Sequence, residues 1–295
     1  MVKEIQELTH ARLEPALGGC PGLFTARDRE GWKLDVSYKL GEVILQFKAA
    51  DRLTPADLMT LAAIVAVAGP GRQEPGEEER ALVDALACQP AEAAGGTLVV
   101  RTNRARVLEE CGITEGGSGR KALLYSLIRL ASLTAIASRG SQKISMHLLS
   151  FAIDEATGEL VVALSSRLSA AILGGRHIRL ELHELRALGE HARVLYTRLC
   201  VWIDPGRARR VGVDVLRGYL WPEPASSPAI RRKRLHLVRR AMEELGGLHG
   251  WRIEADERWR QYVVSRRSAG KTGTEAGISG TLAGKTGTPE SAVSL

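Results

Sequence analysis

The stretch SSPAIRRKRLHLVRRAMEEL, residues 226–245, decides how the rest of the chain is interpreted. Ser227 is a good N-cap for a helix, and Pro228 takes the first helical position, where its missing N–H costs nothing. The apolar residues that follow recur at spacings of three and four: Leu235, Val238, Met242 and Leu245. This periodicity predicts one helix with a single buried stripe.

Basic residues crowd the remainder of this predicted helix, and they are densest near its start: Arg231, Arg232, Lys233, Arg234, Arg239 and Arg240. A helix that is apolar on one side and polybasic on the other suits the major groove of DNA. A solvated basic face that only keeps the protein soluble is the alternative, and the helix alone does not separate the two interpretations.

The charge distribution along the chain favours the DNA interpretation. The formal net charge is +7, and residues 161–267 hold 21 Lys and Arg against 11 Asp and Glu. Residues 1–160 hold 18 basic against 21 acidic residues, so the excess positive charge belongs to the second half. A polyanion-binding half is expected to have this asymmetry.

Several classes of protein and site are disfavoured. The four cysteines lie far apart and have no zinc-ligand spacing, so we expect reduced, buried thiols and no metal or cofactor. The N-terminus lacks an apolar signal core, and the longest apolar run, residues 61–68, is too short to span a bilayer. These features predict a soluble cytoplasmic protein.

The first half contains a helix-turn-helix pattern. Residues 103–111 predict a short helix and residues 116–119 a glycine-rich turn. In the next predicted helix, one set of side chains faces inward: Leu123, Leu124, Leu127, Ile128 and Ala131. The other set faces outward and includes the candidate DNA contacts: Arg120, Lys121, Tyr125, Ser126 and Arg129. Two strand-like runs, 144–153 and 160–164, complete the winged-helix order.

The second half repeats that order. A short helix is predicted at 168–173 and a longer one from about 183 to 203. Trp221-Pro222-Glu223-Pro224 forms a turn before the arginine-rich helix, and a hairpin over residues 251–264 follows. Arg258 and Arg260 lie in the loop of this hairpin, where they are candidates for contacts to the DNA backbone.

Together these patterns predict an α+β fold of two tandem winged-helix domains with a disordered C-terminal tail. The predicted boundaries are an irregular N-terminal arm at 1–30, a first domain at 31–164 with an acidic surface insertion at 71–96, a second domain at 165–267 that provides the main DNA grip, and the tail at 268–295. A single α+β enzyme domain stays open as an alternative.

The tail carries GKTGT twice, which resembles the end of a phosphate-binding loop. A true phosphate-binding loop needs glycine at position 279, where this chain has Ser279, and a strand and a helix around it. No nucleophile–base constellation has support either, so we expect no catalytic residue and no enzyme activity. Nucleotide hydrolysis by the pure protein would contradict this expectation.

The order of segments resembles the RepC replication initiators of broad-host-range IncQ plasmids. The resemblance lies in KLDVSY (33–38), AVAGP (66–70), DEATGELVVAL (154–164), GGRHIRLELHELRAL (174–188), RLCVWIDPG (198–206) and LRGYLWP (216–222). It covers nearly the whole chain to about residue 252, and the acidic insertion and the tail depart from it.

This resemblance implies a plasmid replication initiator that binds directly repeated origin sequences, called iterons, in double-stranded DNA and opens the duplex. It implies a plasmid helicase and primase as partners and leaves both a homodimer and a monomer open as the active form. The alternative function is a winged-helix transcriptional repressor that binds a palindromic operator as a dimer.

Overall fold

The structure is a computed structural model, and it describes residues 9–26, 33–69, 97–256, 258 and 260–267. Three predictions from the sequence fall outside these residues. They are the acidic insertion at 71–96, the tail at 268–295 with its GKTGT repeats, and the two ends of the N-terminal arm.

The described residues form nine helices and twelve strands, and all pairings between these strands are antiparallel. The helices are α1 (Pro15–Gly19), α2 (Pro55–Ala68), α3 (Arg104–Glu110), α4 (Gly117–Ala131), α5 (Ser166–Ile172), α6 (Leu182–Ala187), α7 (Glu190–Trp202), α8 (Val213–Leu220) and α9 (Pro228–Gly246). The strands are β1 (His10–Leu13), β2 (Leu34–Leu40), β3 (Val43–Ala49), β4 (Val99–Asn103), β5 (Thr134–Arg139), β6 (Gln142–His147), β7 (Leu149–Ile153), β8 (Glu159–Leu164), β9 (Ile178–Glu181), β10 (Ala208–Gly212), β11 (Trp251–Asp256) and β12 (Gln261–Arg266).

Two units of the fold have the same connectivity. In the first unit, α2, β4, α3, α4, β7 and β8 follow one another, and the sheet order is β4-β8-β7. In the second unit, α7, β10, α8, α9, β11 and β12 follow one another, and the sheet order is β10-β12-β11. Each unit is therefore a helix, a strand, two helices and a hairpin, with the first strand paired to the last.

A second sheet interrupts the first unit. β5 and β6 form a hairpin between α4 and β7, and they extend the β2-β3 hairpin into a four-stranded sheet of order β2-β3-β5-β6. The single strand predicted over residues 144–153 is therefore wrong. The chain leaves one sheet at Leu148, whose N–H donates to the Leu133 carbonyl oxygen at 3.0 Å, and enters the other sheet at Leu149.

The N-terminal residues differ from the predicted irregular arm. β1 pairs with β9, and α1 packs against α7. Leu13 and Leu23 are fully buried. The apolar side chains are spaced too irregularly to mark such short elements in the sequence, and their burial depends on contacts with residues more than 150 positions away.

The long helix predicted over residues 183–203 is two helices, α6 and α7. The break lies at Gly189, whose N–H donates to Glu244 Oε2 of α9 at 2.8 Å. A Cβ atom at Gly189 would lie 2.9 Å from the same carboxylate oxygen, so the Glu244 side chain would have to shift if another residue stood there. The carboxylate satisfies one of the free N–H groups at the start of α7.

The two units share one continuous core. Their first helices, α2 and α7, contact each other, and buried apolar side chains from both units join in a single cluster. The guanidinium of Arg198 in α7 lies 4.5 Å from the ring centroid of Tyr219 and 5.8 Å from that of Tyr38. No helix in the described ranges is both long enough and apolar enough to cross a membrane.

We expect Gly22→Ala to destabilise the protein more than Gly41→Ala. Both glycines have positive φ, +76° and +61°, so both alanines carry backbone strain. Only the Cβ at position 22 meets a neighbour, Pro222 Cγ at 2.6 Å, whereas nothing lies within 4 Å of position 41. Overpacking should add about 1–3 kcal/mol to the loss in free energy of unfolding, measured by urea denaturation. Equal losses would contradict the close contact between residues 22 and 222.

Candidate nucleic-acid interface

Helix α9 has the start and the buried stripe that the sequence predicts. The Ser227 hydroxyl accepts a hydrogen bond from the Ile230 N–H at 3.2 Å, and Pro228 opens the helix. Val238, Met242 and Leu245 are buried, and Leu235 packs half-buried against the core. The apolar face is thus held by the second unit, and the opposite face is turned outward.

Five of the six basic residues predicted on this helix are exposed: Arg231, Arg232, Lys233, Arg239 and Arg240. Arg240 Nε lies 3.3 Å from Glu244 Oε1, and the Arg240 side chain is still 70% exposed. An exposed ion pair of this kind contributes little to stability and leaves the guanidinium accessible. The exposed side of α9 therefore presents a dense cationic surface.

Arg234 is the exception, because it is half-buried and its guanidinium has partners within the protein. Its Nη1 donates to the Glu223 carbonyl oxygen at 2.7 Å, and its guanidinium lies 5.3 Å from the Trp221 ring centroid. The helical period turns this position toward α8, so Arg234 holds the turn that precedes α9. Because residues 231–234 are all basic, the sequence pattern does not distinguish this inward-facing position from its exposed neighbours.

In the first unit, α4 exposes Arg120 and Lys121. Arg120 Nη2 lies 2.9 Å from Glu115 Oε1, and Lys121 Nζ lies 5.8 Å from the Tyr125 ring centroid. Tyr125 is 50% exposed and Ile128 is 48% exposed, although Ile128 is predicted to be buried. Lys121, Tyr125 and Ile128 share a face of α4 that contains both a charge and apolar surface.

Arg129 is predicted to face DNA, and the structure shows instead that it is an internal cation. Its Nε and Nη2 donate to the Asp57 carboxylate at 2.9 and 2.6 Å, and Asp57 is 0% exposed. Asp57 also accepts from the Thr54 N–H at 2.7 Å in the capping box of α2. Ser126, also predicted to face outward, is buried beside this pair, and its Oγ accepts from Arg129 Nη2 at 3.3 Å.

Arg258 and Arg260 lie in the turn between β11 and β12, and both are exposed. Arg260 has a positive φ of 50°, and its carbonyl oxygen accepts from the Val213 N–H at 3.0 Å. This hydrogen bond ties the hairpin turn to the start of α8. Arg258 and Arg260 therefore lie in a turn that is hydrogen-bonded to α8.

The turn before α9, residues 221–224, is clamped to the first half of the chain. Arg52 Nη2 lies 2.5 Å from Glu223 Oε1. Partial burial raises the pKa of Glu223, but the hydrogen bond from Arg52, a backbone hydrogen bond and the charges of Arg52 and Arg234 together outweigh it and hold the pKa below its ordinary value. The clamp is therefore fully present above the ordinary glutamate pKa and is lost as the pH falls through the lowered value. The sequence contains no signal for this pairing, because the partners are 171 residues apart.

The cysteines in the described residues offer no nucleophile. Cys20, Cys111 and Cys200 are buried, and burial raises the pKa of each thiol to about 12. Neutral thiols are poor nucleophiles and poor metal ligands. The chemistry that the exposed residues provide is therefore the binding of anions by Arg and Lys on α4, α9 and the β11-β12 turn.

Comparisons with known proteins agree with this arrangement. The family model for Replication protein C (RepC) matches residues 5–266. A crystal structure of selenomethionine derivatives of domains 2 and 3 of RctB is similar to this chain with a TM-score of 0.56 and 12% identity, covering 86% of this chain and 98% of that chain. A second crystal structure of RctB domains 2–3 gives 0.54 and 11%, covering 86% and 96%. At such identities the likeness concerns the fold. No curated protein matches the sequence.

We expect Arg129→Ala and Arg120→Ala to have very different effects on stability. Removing Arg129 leaves the Asp57 carboxylate buried without its cation, which costs about 3–5 kcal/mol of unfolding free energy. Arg120 belongs to an exposed pair, so its loss should cost less than about 1 kcal/mol. Urea denaturation of both variants measures the difference. Similar small losses would show that Arg129 does not hold α4 to α2.

Proposed function

Because the chain belongs to the Replication protein C (RepC) family, we propose that it is a plasmid replication initiator. In this proposal it binds directly repeated origin sequences, iterons, in double-stranded DNA, opens the duplex and helps load the replicative helicase. The observation that carries the DNA-binding step is the cationic face of α9, whose other face is fixed to the core. The origin of replication that it binds belongs to an IncQ-type plasmid.

We further propose that both units are winged-helix domains, with boundaries near 31–164 and 165–267. The support is the shared connectivity, in which a short helix precedes an exposed basic helix and a hairpin follows. In each unit the first strand pairs with the last, so the hairpin lies beside the helix pair. Such a unit places its second helix in the major groove and its hairpin on the neighbouring backbone.

The second unit provides most of the grip in this proposal. Arg231, Arg232 and Lys233 lie in the first two turns of α9, near the end at which a recognition helix reaches base edges. One or two of them contact guanine, and each bidentate contact contributes about 1–3 kcal/mol of discrimination. Arg239 and Arg240 lie two to three turns further along and contact phosphates. Arg258 and Arg260 add contacts from the hairpin.

The first unit reads a neighbouring part of the same site. Arg120 and Lys121 supply the charge, and Tyr125 and Ile128, in place of the half-buried Arg129, form the surface beside them. An exposed apolar side chain in the major groove suits the methyl group of thymine. The first unit therefore favours a contact with A·T pairs where the second favours G·C pairs.

The remaining parts of the proposal concern partners and place of action. The protein acts in the cytoplasm without a cofactor or catalytic residue of its own, and a plasmid helicase and primase carry out unwinding and priming. The alternative function is repression of transcription from a palindromic operator. Direct repeats and palindromes differ in symmetry, so the preferred target separates the two functions.

Changing Arg231 and Arg232 together to Ala should weaken binding to the preferred sequence by about 1–6 kcal/mol, because one or two base contacts are lost. Binding to mixed-sequence DNA should fall much less, so the ratio of specific to mixed-sequence affinity should decrease. Fluorescence anisotropy with both DNAs at one fixed salt concentration measures this. The matched control is Arg139→Ala with Lys143→Ala, which removes two charges at the β5-β6 turn. If the α9 variant keeps its preference, α9 does not read bases.

Nuclease footprinting on plasmid origin DNA tests initiation against repression. We expect protection to recur at a constant spacing over direct repeats, with enhanced cleavage where the duplex is bent or opened. An origin fragment with the repeats scrambled is the control. Protection centred on an inverted repeat, without distortion of the duplex, would support a repressor and contradict the initiator.

A further inference from the structure

A two-stranded ribbon outside α4 and α9 carries arginines in an unusual arrangement. In the β1-β9 ribbon, Arg12 lies directly opposite Arg179, and His10 lies opposite Glu181. The alternate residues of both strands, among them Leu13 and Leu180, are fully buried. The period of two therefore places both arginines on the face opposite these buried residues, where the Arg179 side chain is 52% exposed and the half-buried Arg12 donates from Nη1 to the Ile172 carbonyl oxygen at 3.3 Å.

Further arginines lie close to the ribbon in the second unit, among them Arg266, which is half-buried with its guanidinium 5.6 Å from the Trp251 ring centroid. Arg266 Nη2 at the end of β12 donates to the Arg179 carbonyl oxygen at 3.1 Å. The Arg266 N–H donates to the Arg207 carbonyl oxygen at 3.1 Å, so these two residues are also neighbours across strands. Arg176 is exposed just before β9. We call Arg12, Arg176, Arg179, Arg207 and Arg266 the ribbon arginines.

This arrangement has an unfavourable energy in the protein alone. Like charges directly opposite each other on antiparallel strands destabilise the pair. Glu181 offsets one of these charges, because its Oε1 lies 2.6 Å from Arg179 Nε. Burial and the positive charge of Arg179 both lower the pKa of His10, as expected in a positive field. An anion that binds between Arg12 and Arg179 would relieve the repulsion.

The ribbon lies at the junction of the two units. β1 contacts α2 of the first unit, and β9 contacts α7 of the second. Helices α2 and α7 are the first helices of the units that carry α4 and α9. The ribbon thus contacts both units, and a phosphate bound by it would add a DNA contact made by neither α4 nor α9.

We propose that the ribbon arginines bind phosphate groups of a DNA backbone, as a third contact that carries no sequence information. This inference rests on the proposed function, because it takes DNA as the ligand. Arginine suits the role, since its planar guanidinium can bind phosphate oxygens in a bidentate manner. The phosphates belong either to the duplex that α4 and α9 read or to a second duplex held beside it.

The test is the salt dependence of binding by Arg12→Gln with Arg179→Gln, measured in the full-length protein by anisotropy from 50 to 300 mM salt. Each lost phosphate contact should lower the slope of log K against log[salt] by about 0.9, so the double variant should lose about 1.8. The preference for specific over mixed-sequence DNA should stay unchanged. Arg12→Lys with Arg179→Lys keeps both charges and should keep most of the slope.

Two arms of the experiment separate the sources of phosphate. If the phosphates lie on the duplex that is read, the slope falls in complexes of one protein and one labelled duplex. If they lie on a second duplex, that slope stays and the Gln variant loses the complex with two duplexes that the wild type forms, seen by two-colour electrophoresis. Either result supports the proposal. An unchanged slope together with unchanged two-duplex complexes overturns it.

A stability measurement keeps the result interpretable. The Gln variant removes the repulsion between the two arginines, but it also removes the Arg179–Glu181 pair and the Arg12 hydrogen bond to the Ile172 carbonyl oxygen, so it should unfold at a urea concentration close to that of wild type. A variant that unfolds earlier and binds more weakly would count against a direct phosphate contact. Failure of the proposed function looks different: the wild type itself would then bind repeat DNA no better than mixed-sequence DNA.

Discussion

The contact between the turn at 221–224 and the first half of the chain sets the relation of the two units. Pro222 fills the space beside Gly22, where no Cβ fits, and Glu223 pairs with Arg52. The same turn receives Arg234 from α9. The turn between α8 and α9 is thus packed against Gly22, Arg52 and Arg234. Since two of these partners lie outside the second unit, the direction of α9 depends on contacts with the first half of the chain. In a flexible two-domain chain the two surfaces that are proposed to read DNA would move independently, whereas here their units share one core.

A buried ion pair has the corresponding role in the first unit. Arg129 and Asp57 join the end of α4 to the start of α2, and Asp57 also closes the capping box of α2. A buried pair adds little net stability compared with apolar packing, yet each partner requires the other. Its effect is therefore mainly geometric. The pair fixes which face of α4 turns outward, and that face carries Lys121, Tyr125 and Ile128 instead of the arginine that a charge count would choose.

The sequence predicts the local features well and the distant ones poorly. The cap at Ser227 and the stripe through Val238 and Met242 depend on neighbours within four residues, and the structure has both. Arg129 and Arg234 look like surface cations because their partners, Asp57 and the turn at 221–224, are close only in the folded chain. The same reason explains the break at Leu148 and the pairing of β1 with β9, since strand partners depend on tertiary contacts that periodicity does not contain.

The shared connectivity of the units also constrains the kind of DNA site that the proposed function requires. One chain carries two reading helices with different residues, a strongly basic α9 and an α4 that is half apolar. A pair of unlike surfaces fixed in one body has a direction, so the sequence that it reads has a direction as well. A palindrome arises where two identical surfaces are related by a two-fold axis, which needs a second chain. Repetition of a directional site in one orientation gives direct repeats, and a single chain with unlike units is sufficient to read each of them.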